Sequence, residues 1–220
     1  SKNQIAERKN IDLNIFAIAN SKSVYFSTNG FNADWQDQFQ TPQPNSLSSI
    51  IEYAKEHHLE NLILIDNTAA ESLPKRYNDF IDNGFDIVSS NKIANTLSFE
   101  FYKNLRKNLK KNQKQYLYET NVGAGLPLID NIKLLHLSGE NITKIKGVFS
   151  FSLSYIFNLF SVENKPFSEV LRAAIEKGFT EPDPRDDWSG TDVARKLLIL
   201  ARELDLENEI KAVSASTEPV

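Results

Sequence analysis

Asp192 and Lys196 pair a carboxylate with an ammonium at a spacing that could do chemistry. The apolar residues that follow recur at roughly helical spacing, which predicts that a helix opens near Gly190 and contains both residues. Four residues make about one helical turn, so the two side chains lie on the same face. Such a face suits a substrate with both an amine and an oxygen to be polarised. An ordinary intrahelical ion pair, worth roughly a few tenths of a kcal/mol, has the same spacing, and spacing alone leaves both interpretations open.

A charged and stiff segment leads into this helix and includes its first residues. Residues 179 to 196 read FTEPDPRDDWSGTDVARK and carry five carboxylates around two prolines and a glycine. Each proline fixes its own φ and disfavours helix at the residue before it, which predicts an extended, pre-shaped loop. Asp187 or Ser189 is the predicted N-cap of the helix. A solvated surface loop is the alternative.

Polar side chains also follow two apolar, strand-like segments. Asn67 and Thr68 come after Leu62 to Ile65, and Lys92 follows Phe85 to Ser89. Ligands of an open α/β sheet bind beyond the carboxyl ends of its strands, so we expect these residues to line a binding crevice. A turn-forming Asn-Thr pair and an exposed helix cap are the alternatives, but two such strand ends in succession favour the crevice.

Another apolar segment, Leu13 to Ala19, runs into Asn20, Ser21 and Lys22 without an acidic residue. An NAD site places a carboxylate at this point to accept from the ribose 2′-hydroxyl, whereas the 2′-phosphate of NADP needs cationic or hydroxyl donors. The pattern favours NADP, with Ser21 and Lys22 as the donors and NAD as the second option. A solvated loop lysine is the alternative.

The loop YETNVGAGLP, from Tyr118 to Pro127, combines one carboxylate with two glycines. Gly123 and Gly125 permit backbone conformations closed to other residues, so carbonyl groups can turn toward one centre while Glu119 supplies a negative charge. Oxygen ligands of this kind suit a hard cation. A tight glycine turn that joins two domains is the alternative.

Strand-like and helix-like segments alternate through the first half of the chain, which predicts an α/β fold with a Rossmann-like parallel sheet. The predicted strands are Leu13 to Ala19, Leu62 to Ile65, Phe85 to Ser89 and Gln115 to Tyr118, and the predicted helices are 47–57, 74–83 and 97–111. Residues 1–9 have the pattern of a helix end, and no GxGxxG turn occurs in the sequence. We therefore predict a nucleotide-binding domain over 1–122 that lacks its first strand and glycine-rich turn.

The pattern changes in the second half of the chain. Pro127 to Leu137 and Phe167 to Lys177 are predicted helices, Ile142 to Phe149 alternates as strands do, and Leu153 to Phe160 is a long apolar stretch. We predict an α+β catalytic and dimerisation domain over 123–220, incomplete at its C-terminus, that pairs with a second subunit through its sheet.

Composition argues against several classes of function. At 220 residues, 40% of them apolar, the chain can bury a real core. A net charge of -4 gives no basic footprint for nucleic acid, and no apolar run approaches the ~20 residues of a membrane span. Cysteine is absent, which removes disulfides and thiol nucleophiles and fits a soluble, cytoplasmic protein.

Taken together, these motifs resemble homoserine dehydrogenases. Thr180 to Lys196 is similar to the family's active-site signature, and Ser90 to Lys92 to its asparagine-lysine step. Tyr118 to Pro127 resembles the family's entry into its catalytic domain, and GVFSFSLSYIF, from Gly147, its glycine-bearing GxFSGSLSYIF segment. Order and separation agree over essentially the whole chain, and the resemblance is closest to the dehydrogenase half of bifunctional aspartokinase/homoserine dehydrogenases.

The resemblance implies NAD(P)-dependent interconversion of L-homoserine and L-aspartate 4-semialdehyde by hydride transfer. Lys92 and Lys196 would manage the proton and polarise the carbonyl oxygen. It also implies a homodimer or higher homo-oligomer and, as an option, an aspartokinase domain in the parent chain. The implied contacts are Glu181, Asp187 and Asp192 for the substrate, Ser21, Lys22, Asn67, Thr68 and Lys92 for the cofactor, and Glu119 with the carbonyls of Val122, Ala124 and Leu126 for Na⁺ or K⁺.

Two residues depart from the family pattern. Phe151 stands where members carry glycine, and Trp188 where a smaller aliphatic residue is usual. Overpacking costs ~1–3 kcal/mol in ordinary cores, so we expect Phe151 to crowd the nicotinamide and the substrate. A catalytically impaired fragment or redesigned scaffold, acting only as a folding or dimerisation module, is therefore the alternative function.

Overall fold

The computed structural model describes residues 2–31, 35, 43–44, 46–180, 183, 185 and 189–212. The chain divides into two compact units, residues 1–62 and 63–220. This division falls directly after Leu62, the first residue of the second predicted strand. The domain boundary expected at residue 122 stays a prediction.

The first unit holds a small antiparallel sheet and two helices. β2 pairs with β1 on one side and with β3 on the other, antiparallel in both cases. α2 buries Ile50, Ile51 and Ala54 on the single stripe that the sequence predicts. The elements are α1 (Lys2–Lys9), β1 (Ala17–Ala19), β2 (Ser23–Phe26), β3 (Gln43–Pro44) and α2 (Leu47–Glu56).

The strand predicted over Leu13 to Ala19 is shorter than expected and does not join the parallel sheet. Only Ala17–Ala19 is a strand, and it pairs with Ser23–Phe26, which follows directly. The cause is local, because the Asn20 side chain accepts from the backbone N–H groups of Lys22 and Ser23, both at 2.8 Å. Such an Asx turn reverses the chain, so a hairpin forms instead of a crossover.

The second unit is built on a parallel sheet in the order β4, β5, β6. These strands correspond to three of the four predicted, and helices lie between them as an α/β fold requires. The elements before residue 122 are β4 (Ile63–Asp66), a 3-10 turn (Pro74–Arg76), α3 (Tyr77–Asp82), β5 (Asp86–Ser89), a 3-10 turn (Ile93–Asn95), α4 (Phe99–Asn112), β6 (Tyr116–Leu117) and a 3-10 turn (Glu119–Asn121).

The described residues after 122 in the second unit form helices and loops. The helices are α5 (Leu128–Leu137), α6 (Phe151–Val162), α7 (Phe167–Glu176) and α8 (Thr191–Glu203), followed by a 3-10 turn (Ile210–Ala212). One apolar cluster joins the sheet to α3, α4, α5 and α8, and it includes the fully buried Ile87, Leu105, Ile129 and Ile199. α6 and α7 pack against each other around Ile156, Val170 and Ala174. None of the helices that the structure describes is long and apolar enough to cross a membrane.

The predicted strand over Ile142 to Phe149 is wrong. This segment has no regular structure, and Ile142, Ile145 and Phe149 instead pack singly against the apolar cluster. The apolar stretch after it forms helix α6, which opens at Phe151 with the Ser150 hydroxyl accepting from Leu153 N at 3.1 Å. Between residues 123 and 212, the described parts contain helices and loops without a strand, so the expected second sheet is absent from them.

Candidate active site

Lys92 and Lys196 converge on the carboxylate of Asp192. Lys92 Nζ lies 3.2 Å from Asp192 Oδ1, and Lys196 Nζ lies 2.6 Å from Asp192 Oδ2. The Asp192 side chain is 4% exposed, whereas those of Lys92 and Lys196 are 20% and 17% exposed. The structure therefore brings together the three residues expected to share one cleft, with the carboxylate beneath two partly exposed lysines.

The local sequence explains how α8 carries this pair. Gly190 occupies the N-cap position in the left-handed conformation, with φ of +73°, and provides no side-chain cap. The prediction of Ser189 as the N-cap is therefore wrong, and its hydroxyl instead accepts from Thr191 N at 3.3 Å. Asp192 lies in the first helical turn, where the unpaired N–H groups favour a negative charge.

The pKa of Asp192 lies below its ordinary value. Burial favours the neutral acid and raises the pKa, but the hydrogen bond from Lys196 and the charge of Lys92 together lower it by more. Asp192 is consequently ionised at neutral pH. The cluster thus offers a carboxylate to an amine and an N–H donor to an oxygen within one small volume.

Lys196 also has a main-chain carbonyl as a hydrogen-bond acceptor. Lys196 Nζ donates to Phe149 O at 2.8 Å as well as to Asp192. Among the described residues these are its polar contacts, so one of its three N–H donors is available to a ligand. The sequence analysis missed Phe149, because no side-chain pattern reveals a backbone acceptor in an irregular segment.

Phe151, which is expected to crowd the nicotinamide and the substrate, is not packed into the protein interior. Its side chain is 64% exposed and meets Phe179 edge to face, with ring centroids 5.1 Å apart. The protein itself therefore leaves this side chain a large free surface, and the expected crowding of the nicotinamide and the substrate stays a prediction. Trp188, the second departure, lies outside the described residues.

The carboxyl ends of β4 and β5 lie side by side, because the strands are parallel and Asp66 is in register with Ser89. The Asn91 amide spans the two ends, donating to Asp66 Oδ2 at 3.2 Å and to Ala70 O at 2.9 Å. Asp66 is fully buried and also accepts from Tyr77 Oη at 2.6 Å. This polar edge fits the cofactor-binding position of an open α/β sheet.

Asn67 and Thr68 belong to the same edge. Both residues are exposed. A hydrogen bond from Ser90 Oγ to Asn67 Oδ1, at 3.2 Å, also links the residues that follow β4 to those that follow β5. Thr68 N donates to Asp66 Oδ1 at 2.8 Å. Asp66 is the residue that sequence reasoning missed here, and its position as the last residue of an apolar strand was the available signal.

The side chain of Glu119 reaches the first turn of α5. Its two carboxylate oxygens accept from the backbone N–H groups of Ile129, at 2.8 Å, and of Asp130, at 3.0 Å. The intervening loop has two successive left-handed residues, Gly123 at φ of +85° and Ala124 at φ of +52°. The carboxylate thus caps the helix, and its oxygens keep further lone pairs on the side of the loop.

Within the described part of the chain, no group of three or more His, Asp or Glu side chains is arranged to hold a metal ion. A cation at the Glu119 loop would therefore depend on main-chain oxygens. Leu126 O already accepts from Leu128 N at 2.8 Å, which leaves that carbonyl one lone pair.

Ser21 and Lys22 form the exposed tip of the β1–β2 hairpin in the first unit. The hydroxyl and the ammonium expected to meet a 2′-phosphate thus follow directly from a strand end. Two predicted substrate residues, Glu181 and Asp187, lie outside the described residues.

Nearby on the same acidic segment, the Arg185 guanidinium donates to Asp183, with Nη2 at 2.7 Å from Oδ2. This hydrogen bond lowers the pKa of Asp183 to about 2. Because both residues are exposed, the pair contributes little to the free energy of unfolding. Its role is local, since the backbone N–H of Arg185 also donates to Asp183 Oδ1, at 3.0 Å.

Two family models cover almost all of the chain. The model described as homoserine dehydrogenase, NAD binding domain, matches residues 2–119, and the model described as homoserine dehydrogenase matches residues 127–217.

Individual proteins agree with these models. The chain is 45% identical over 208 residues to a bifunctional aspartokinase/homoserine dehydrogenase of Haemophilus influenzae, covering 94% of this chain and 25% of that protein. It is 38% identical to a homoserine dehydrogenase of Schizosaccharomyces pombe, covering 94% of this chain and 56% of the other. The chain thus spans only about a quarter to a half of these curated relatives.

Among solved structures, a hyperthermophilic archaeal homoserine dehydrogenase in complex with NADPH superimposes with a TM-score of 0.71. It is 25% identical to this chain, and the match covers 92% of this chain and 64% of that one.

Proposed function

The chain belongs to the homoserine dehydrogenase family, and on that premise we propose that it catalyses the NAD(P)-dependent interconversion of L-homoserine and L-aspartate 4-semialdehyde. The observation that carries the proposal is the convergence of Lys92 and Lys196 on Asp192. Both substrates contain an ammonium and a reacting oxygen, which are the two groups that this cluster can bind.

The geometry supports the following roles. In the direction of reduction, Lys196 donates its available N–H to the aldehyde oxygen and then transfers that proton as the oxygen becomes an alcohol. Asp192 and the Phe149 carbonyl hold the Lys196 ammonium so that its third N–H points away from both. Lys92 lies at the opposite oxygen of Asp192 and stabilises the negative charge that develops on the substrate oxygen.

A nicotinamide cofactor, when bound, supplies the hydride. Asn67, Thr68 and Lys92 are the proposed contacts at the carboxyl ends of β4 and β5, where the buried Asp66 and Asn91 fix the backbone. In the first unit, Ser21 and Lys22 are the proposed contacts of a 2′-phosphate, which favours NADP over NAD. Glu181 and Asp187 complete the proposal as residues that bind the substrate ammonium.

The loop that follows Glu119 is the proposed site of a monovalent cation. Glu119 supplies the charge, and the carbonyls of Val122, Ala124 and Leu126 are the proposed neutral ligands. The left-handed pair Gly123 and Ala124 supports this, because it turns the loop, and Leu126 N donates back to Gly123 O at 3.0 Å. The ion would shape the entry to α5 and take no part in the chemistry.

Glu119→Gln is expected to lower the thermal midpoint and to abolish its dependence on K⁺. The amide keeps one acceptor for the N–H groups of α5 but loses the charge, at a cost of about 0.5–2 kcal/mol for the cap. Midpoints should be measured in KCl and in choline chloride at equal ionic strength. Asp130→Asn, in the same first turn of α5, is the matched control and should retain the K⁺ effect. Equal midpoints in the two salts for the unaltered protein would contradict the cation and leave Glu119 as a cap only.

The reaction is tested by adding L-aspartate 4-semialdehyde to the protein with NADPH. The proposal predicts loss of the reduced-nicotinamide absorbance with an equal amount of L-homoserine formed. If NADPH raises the thermal midpoint but is not consumed, the catalytic proposal is wrong and the chain is a binding module. If neither effect occurs, the cofactor proposal is wrong as well.

Assembly and location stay predictions. A homodimer remains part of the proposal, although the sheet expected to form it does not occur among the described residues of 123–212. An aspartokinase domain in the parent chain is supported by the bifunctional relative, and a cytoplasmic location is retained.

A further inference from the structure

α8 carries functional groups at both of its ends. Asp192, Lys196, Ile199 and Glu203 follow one another at spacings of four, three and four, which places them on one face of the helix. The first two form the lysine cluster, Ile199 is fully buried in the apolar core, and Glu203 accepts from Tyr118 Oη at 2.6 Å. The proposed catalytic end of the helix is thus continuous with a deeply buried end.

Arg202 makes the decisive contact at that buried end. Its side chain is completely buried, and Nη1 donates to the backbone carbonyl of Asn95 at 2.8 Å. The guanidinium also lies over the Tyr102 ring, 5.1 Å from its centroid. A buried cation that donates to a main-chain carbonyl and stacks on an aromatic ring holds its partner in a fixed place.

Asn95 ends the short turn that begins immediately after Lys92. The turn is the 3-10 helix Ile93–Asn95, and Lys92 is its N-cap. The Asn95 side chain is itself fixed, because Nδ2 donates to Asn121 Oδ1 at 3.0 Å and Oδ1 accepts from Arg106 Nη2 at 2.9 Å. The residues from Lys92 to Asn95 therefore form a rigid unit.

α8 consequently meets one four-residue turn at two points. Asp192 binds Lys92 at the start of the turn, and Arg202 binds Asn95 at its end. Arg202 lies ten positions after Asp192, which corresponds to about 15 Å along the helix. A single contact would let a helix pivot, whereas two contacts so far apart determine both its direction and its distance.

We propose that Arg202 is a positioning residue that sets Lys92 against Asp192 by clamping the far end of α8 to the Lys92 turn. The catalytic consequence rests on the proposed function, but the geometric claim does not. Arg202 is far from the lysines along the helix, so it acts through Asn95 and touches no substrate.

The test compares Arg202→Met, which keeps the aliphatic length but removes the donors, with Arg202→Lys, which keeps one charged donor. Phe80→Leu is the control for lost stability, because Phe80 is fully buried on α3 and packs against Phe85. Two readouts are needed: kcat and KM for aspartate semialdehyde reduction by NADPH, and the carboxyl ¹³C titration of Asp192 by NMR.

Arg202→Met is expected to lower kcat by about 10²-fold, because small displacements of reacting groups have effects of that size. The KM for NADPH should rise as well, because the displaced Lys92 is a proposed cofactor contact, and Arg202→Lys should restore most of the activity. Asp192 should titrate at higher pH in Arg202→Met, since Lys92 no longer stands beside it, and at the original pH in Phe80→Leu.

An unchanged Asp192 titration in folded Arg202→Met would overturn the inference. Parallel losses of kcat in Phe80→Leu and Arg202→Met would also do so, because the effect would then be general destabilisation. If Arg202→Met does not fold, Arg202→Gln, which keeps only an uncharged donor, carries the same two readouts, and an unchanged Asp192 titration in that variant would overturn the inference. If the unaltered protein has no turnover, the proposed function fails while the Asp192 titration still decides the clamp.

Discussion

Lys196→Met is expected to lower kcat for the reduction of aspartate semialdehyde by about 10²–10⁴-fold, the range typical of a lost general acid. Methionine fills a similar volume but cannot donate to the substrate oxygen. It also leaves the Phe149 carbonyl without the donor that it has in the unaltered protein. The loss should appear in kcat, with little change in the KM for NADPH, because Lys196 is proposed to act on the reacting oxygen.

Lys75→Met is the matched control for this variant. Lys75 pairs with Glu71 at the same four-residue spacing, with a distance of 2.5 Å, but both side chains are more than half exposed. Its replacement should leave kcat unchanged. Steady-state kinetics of both variants test the proposed role of Lys196 as the general acid. A Lys196→Met protein that retains more than about a tenth of the original kcat would rule out this role.

Asp192→Asn is expected to reduce both activity and stability. The amide presents one oxygen and one N–H₂ group to two ammonium groups, so one lysine must turn away from its present position. Losing a hydrogen bond between charged partners at a buried site costs about 1–3 kcal/mol. The kcat should fall by at least about 10²-fold, because Lys196 loses the group that orients it.

The pH dependence of stability distinguishes this carboxylate from a surface one. The folded-state pKa of Asp192 is lowered below the unfolded value of about 3.9, so its contribution is fully present above that pH. The contribution is lost as the pH falls through the lower, folded-state pKa. Asp192→Asn should therefore lose less stability than the unaltered protein on acidification below about pH 4.

Denaturant unfolding at several pH values measures this difference. Glu71→Gln is the matched control, because it removes an exposed carboxylate from an ion pair of the same spacing. Its effect on the free energy of unfolding should stay within about 0.5 kcal/mol at neutral pH. If Asp192→Asn and Glu71→Gln had the same small effect, the buried cluster would contribute no more than a surface pair.

Much of this arrangement follows from local sequence. Asp192 and Lys196 could be placed on one helix face because helical spacing determines which residues are neighbours. The ends of β4 and β5 could be placed together because parallel strands end at the same edge of a sheet. In both cases the regular geometry of a helix or a sheet determines which residues lie next to each other.

The incorrect predictions concern segments whose structure depends on tertiary contacts or on a single turn. The alternation in Ile142 to Phe149 fits a strand, but a strand needs a second strand to pair with. In the structure, this segment is held by its apolar side chains, which pack against the apolar cluster. The Asn20 turn redirected Leu13 to Ala19 into a hairpin through two hydrogen bonds to one side chain. Neither the Phe149 carbonyl nor the Arg202 contact with Asn95 has any periodic signature.

The central claim is that Lys92, Asp192 and Lys196 form the substrate site, and an NMR titration tests it most directly. L-Homoserine is added to protein with ¹⁵N-labelled lysine side chains in the presence of NADPH, which cannot accept a hydride from it, and L-2-aminobutyrate, which lacks the hydroxyl, is the comparison ligand. We predict a saturable shift of the Lys196 ammonium signal with homoserine and a much smaller one with aminobutyrate. Saturable binding of homoserine that leaves the Lys92 and Lys196 signals unmoved would contradict the account.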